Sequence, residues 1–66
     1  MNLQTHPIMR YFAYSHLPEK LQVISKPFGD LAEQMATSLP QSEETLTGLR
    51  KLLEAKDCAV RAALDT

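Results

Sequence analysis

The stretch His6–Phe28, HPIMRYFAYSHLPEKLQVISKPF, carries both tyrosines, both phenylalanines, both histidines and three of the four prolines of a 66-residue chain. Its prolines divide the chain into helices. His6-Pro7 reads as a helix start, because proline at the first helical position gives up an N–H that has no partner there. From Pro7 to about Tyr14 the spacing predicts a short helix. Ile8 and Phe12 share one face, with Met9 beside them, and Tyr11 projects from a different side. So short a helix is unstable alone and must dock on the rest of the chain. Ser15-His16-Leu17-Pro18 ends it, since Leu17 ahead of Pro18 is pushed away from helical angles.

Pro18 opens a second helix, with Glu19 in its positively polarised first turn. Leu21, Ile24, Phe28, Leu31, Met35 and Leu39 come next at spacings of 3, 4, 3, 4 and 4, an amphipathic pattern that predicts a core-facing stripe. Pro27 deprives the Val23 carbonyl of its helical partner, so a kink is expected near Lys26, in a turn that Gly29 loosens further. Lys26 lies nearly opposite the stripe, free to meet solvent, a ligand or a neighbouring subunit. Ser38-Leu39-Pro40-Gln41 closes this helix and Ser42 is a suitable N-cap for a third. Glu43 and Glu44 suit that helix's first turn, and Lys56 and Arg61 fall toward its end. Its apolar set is Leu46, Leu49, Leu52, Leu53, Val60 and Leu64, with Gly48 and several alanines permitting close approach of another backbone.

The expected fold is therefore all-α, one helical domain over residues 1–66: a short N-terminal helix followed by a long antiparallel hairpin with a Pro-kinked first arm. A chain this small buries only about 60% of the surface its unfolded form exposes. It has one cysteine, so no internal disulfide can reinforce it, and its histidines have no partners at metal-ligand spacing. The apolar stripes exceed what one hairpin needs. Together these predict a homo-oligomer.

Seven basic and eight acidic residues give a formal net charge of −1, which argues against a coat for duplex DNA. No run approaches the roughly 20 apolar residues of a membrane span, and no export signal precedes Pro7, so a cytoplasmic protein is expected. No catalytic constellation, metal cluster, phosphate loop or cofactor motif is apparent, which points away from an enzyme. Cys58 reads as a small packed residue, His6 and His16 as loop or cap residues, and Arg10, Lys51 and Lys56 as solvated. Tyr11 and Lys26 suit a nucleotide, whose base would stack on the ring while the ammonium meets the phosphate. Nothing local brings the two together.

The H-P…R-Y-F…H-L-P…S-K-P-F spacing, with the run LLEAKDCAVRA near the other end, resembles the phage anti-CBASS cyclic-oligonucleotide sponges. These proteins sequester the second messengers of bacterial CBASS immunity without cleaving them. The resemblance implies a homohexamer, a trimer of dimers, acting in the host cytoplasm. It implies sites for cyclic dinucleotides such as 3′,3′-cGAMP at subunit pairs, where Tyr11 and Lys26 match the family's aromatic and lysine. Separate sites for cyclic trinucleotides such as cyclic tri-AMP would use Arg61, with Ile8 lining them. The chain has little beyond Leu64, so contacts made by longer tails are not implied. Against this stands a second class, a small helical protein–protein interaction module or adaptor using the apolar stripe. A third, an enzyme that degrades cyclic nucleotides, is disfavoured by the missing metal cluster.

Overall fold

The computed structural model describes residues 7–65, so the expectations for residues 1–6 lie outside it. A 3-10 helix, Pro7–Phe12, precedes two long α-helices, α1 (Glu19–Ser38) and α2 (Glu43–Leu64), and no strand occurs among the described residues. The first helix is thus shorter and tighter than its sequence predicts. In so few residues, 3-10 geometry closes each hydrogen-bonded ring one residue sooner than an α-helix can. The Ala13 amide still donates to the Arg10 carbonyl, at 3.3 Å, before the chain leaves for the turn.

The α1 start has no side-chain cap, and a glutamine from its first turn folds back to hold the preceding loop. The Leu21 and Gln22 amides both donate to the Pro18 carbonyl, and Gln22 Nε2 donates to the Leu17 carbonyl at 2.8 Å. The helix is continuous through Pro27. Ser42 caps α2 as expected, its hydroxyl accepting from the Thr45 amide at 3.2 Å. The Thr45 hydroxyl in turn donates to the Pro40 carbonyl at 2.8 Å, tying the loop over residues 39–42 to the helix it introduces. A loop this short folds α2 back antiparallel on α1.

The face that α1 turns inward is not the predicted stripe. Its buried residues are Ser25, Gly29, Ala32 and Ala36, set against Thr45, Leu49, Leu53 and Lys56 of α2. At 3.6 residues per turn, this small-residue face lies about 100° around α1 from the Leu21–Met35 row. Phe28 and Met35 reach the core only from its flank, and Leu31 and Leu39 are 45% and 46% exposed. The physical reason is distance between axes. Two rows of bulky side chains hold helices apart, whereas alanine and glycine let the α2 leucines lie against the α1 backbone at interior packing density. Ile8 and Phe12 close the core, packing with Ala32, Leu49 and Leu53.

Gly29 admits the N-terminal segment. A Cβ at this position would stand 3.1 Å from the Phe12 carbonyl oxygen and 3.4 Å from the Tyr14 ring. The sequence reading of Gly29 as a loosened turn therefore gives way to a close approach, in which any side chain would press on the Phe12 carbonyl. Two further readings are corrected. Lys56 is buried rather than solvated, and its Nζ donates to the Tyr11 carbonyl. Cys58 is exposed rather than packed, because α2 turns that face away from α1.

Candidate ligand-binding residues around Tyr11

Tyr11 sits on the last turn of the 3-10 helix with its ring in solvent, 51% exposed, while its neighbours Ile8 and Phe12 point into the core. The backbone beneath the ring is pinned. Lys56 reaches up from α2, its stem buried and its ammonium on the Tyr11 carbonyl, where a cation also suits the negative end of a short helix. The ring is thus presented on a clamped segment although it belongs to the least regular part of the chain.

Cations gather around it. The Arg10 guanidinium carbon stands 5.1 Å from the ring centroid, within cation–π range, and Arg10 Nη2 donates to the Tyr11 hydroxyl at 3.1 Å. That hydrogen bond, then the Arg10 charge, lowers the phenol below its ordinary range, with a smaller contribution from the Arg50 charge. Arg50 comes from the second turn of α2 and is exposed. It lines a cleft of about 540 Å³ together with Pro7, Ile8, Tyr11, Leu46, Thr47 and Lys51. Lys51 leans toward Glu54, at 3.8 Å, in a mostly solvated pair.

The four residues singled out by sequence fall in three places. Tyr11 and Ile8 share the cleft, but Ile8 is 7% exposed and belongs chiefly to the core. Lys26 is exposed on α1, where its Nζ bonds Asp30 at 2.8 Å, and the Asp30 hydrogen bond and charge raise its ammonium above the usual lysine range. The aromatic residue whose charge bears on Lys26 is Tyr14, not Tyr11. Arg61 occupies the last turn of α2, exposed, with Nη2 directed at the Cys58 Sγ at 3.6 Å. It does not line the cleft that holds Ile8.

Sequence reasoning missed Arg50. Its only signal was a place one turn along α2 from Leu46, a half-buried residue, which becomes informative once the N-terminal segment is known to dock there. Among the described residues no three histidine, cysteine or carboxylate side chains converge as a metal site would require. No described helix is long and apolar enough to cross a membrane. No protein-family model matches this chain, nor does any curated protein or any solved structure.

Proposed function

We propose that this protein binds cyclic oligonucleotide second messengers, cyclic dinucleotides such as 3′,3′-cGAMP and cyclic trinucleotides such as cyclic tri-AMP, and holds them without cleavage, blocking CBASS immune signalling in the host cytoplasm. The observation that carries the reading is Tyr11: a half-exposed ring on a pinned segment, flanked by Arg10 and Arg50. An aromatic face with cations near it suits a nucleotide, because the base stacks while the phosphate is met by charge. Each stacked base contributes about 1–3 kcal/mol, and each charge-assisted hydrogen bond about 1.5–3 kcal/mol.

Lys26 joins this reading as a contact from a neighbouring copy. In one chain it is spoken for by Asp30 and lies by Tyr14, so the dinucleotide site is formed where two copies meet and the Asp30 pair gives way to phosphate. The displaced stripe on α1, where Leu31 and Leu39 are exposed and Leu21, Ile24, Phe28 and Met35 only half covered, lies nearly opposite Lys26 and would serve a second contact between copies, apart from the seam that holds the dinucleotide. Six copies, as three dimers, would repeat Tyr11, Lys26 and Arg61 around the assembly, giving a polyvalent host from a chain of net charge −1. Trinucleotides are assigned to Arg61 and the exposed edge of Ile8.

Calorimetry with 3′,3′-cGAMP and cyclic tri-AMP, followed by recovery of intact ligand after heat denaturation, tests the proposal. Tyr11→Ala and Lys26→Ala are expected to weaken dinucleotide binding at least tenfold while sparing the trinucleotide, and Arg61→Ala to do the reverse. Wild-type protein that binds neither ligand, or that returns linear products, overturns it.

The exposed stripe also favours a second reading, an adaptor that docks a helix of another protein along α1. It predicts a monomer or dimer whose melting temperature no cyclic nucleotide raises.

A further inference from the structure

The cleft between the N-terminal segment and the start of α2 lies wholly within one copy of the chain. Its volume is about 540 Å³, and it is an open groove rather than an enclosed cavity. Its lining combines apolar side chains, Pro7, Ile8 and Leu46, with Thr47, Arg50 and Lys51, and includes Tyr11. Lys51 is partly neutralised by Glu54. Arg50, by contrast, has no ion-pair partner among the described residues. Its guanidinium belongs to the same cleft as the Tyr11 ring and the Thr47 hydroxyl, with no described carboxylate paired to it.

We propose that this cleft is a single-protomer site for an aromatic ring bearing a phosphate, such as a nucleoside monophosphate, with Tyr11 stacking on the ring and Arg50 holding the phosphate. The planar guanidinium offers two parallel N–H donors that match two phosphate oxygens, which a lysine cannot do. Arg10 leans on the Tyr11 ring and adds positive charge without entering the lining. Thr47 supplies a donor for a third phosphate oxygen or a ribose hydroxyl.

The inference rests on Tyr11 as the stacking ring, as the proposed function does, but it needs neither Lys26 nor a second copy. It also makes Arg50 the phosphate contact within one copy, where the dinucleotide site draws that contact from Lys26 of a neighbouring copy. The two are therefore separable by experiment.

Adenosine monophosphate, adenosine and inorganic phosphate, titrated separately into the intact protein with amide chemical shifts as the readout, test it. Adenosine monophosphate should saturate at millimolar concentration or below and shift the amides of Tyr11, Thr47 and Arg50. Adenosine alone and phosphate alone should bind more weakly. Arg50→Ala should weaken the monophosphate by about tenfold, the loss of one charge-assisted interaction, with Arg50→Lys between the two. Lys26→Ala should leave it unchanged. Arg50 is exposed, and an unaltered circular dichroism spectrum would establish that its variants fold. Equal binding by wild type and Arg50→Ala overturns the site, as does a monophosphate that shifts no cleft amide. Cyclic dinucleotide binding measured on the same variants separates the ideas: if it persists without monophosphate binding, only the cleft assignment fails. Monophosphate binding without cyclic dinucleotide binding sinks only the sponge reading.

Discussion

The two long helices solve the same packing problem with opposite residues. α2 turns its large side chains inward, with Leu49 wholly buried and Leu53 nearly so, and meets a face of α1 built from Ser25, Gly29, Ala32 and Ala36. α1 keeps its own large residues to one side, half covered or in solvent. One helix supplies volume and the other supplies room for it. The difference teaches that an amphipathic period locates apolar area but not the face that a given neighbour will use. The α2 stripe serves the hairpin. Of the α1 stripe, Leu31 and Leu39 stay in solvent and the rest is only half covered.

The sharpest way to break this comparison is to shorten an equivalent residue on each helix. Leu49→Ala should cost about 2–5 kcal/mol, as a large buried side chain is removed and α1 has only small residues with which to refill the space. Leu31→Ala should change the intrinsic stability of the hairpin by no more than about 0.5 kcal/mol. Urea denaturation of both, at several protein concentrations, checks the contrast. Comparable losses independent of concentration would show that Leu31 is a core residue after all.

A smaller effect sharpens the same point at two glycines. Gly29 faces a backbone oxygen, which cannot move without displacing the N-terminal segment; Gly48 faces the terminal methyl of Met35, at 3.1 Å from an added Cβ, which can swing aside. Gly29→Val should therefore destabilise by about 1–3 kcal/mol through overpacking and quench the Tyr11 contribution to binding. Gly48→Ala should raise stability by about 0.5–1 kcal/mol, the gain in helix propensity, since Met35 yields. Thermal melts decide both, and a destabilised Gly48→Ala would mean that Met35 is locked.

Much of this molecule is legible in its residues. The prolines set off the N-terminal segment, Ser42 marks the α2 cap, and the apolar periods place both long helices where they occur. What escapes has a common cause. The inward face of α1 is made of serine, glycine and alanine, which carry almost no hydropathy signal, so the louder stripe beside it reads as the core. Lys56 reads as solvated because charge usually does; only a carbonyl brought from another element gives it a reason to be buried. Of the candidate site, Tyr11 stands out for its ring, but its cationic neighbour Arg50 reaches it through tertiary docking, which spacing along the chain cannot encode.

The reach of Lys56 couples the two ends of the molecule. Its ammonium clasps a carbonyl 45 residues upstream, a long-range closure whose entropy the rest of the packing must offset. The aromatic ring therefore keeps its place only while the middle of α2 stays alongside the start of the chain. Loosening α2 at Lys56 should free the segment that carries Tyr11, and anything that stiffens that segment should steady α2 in turn.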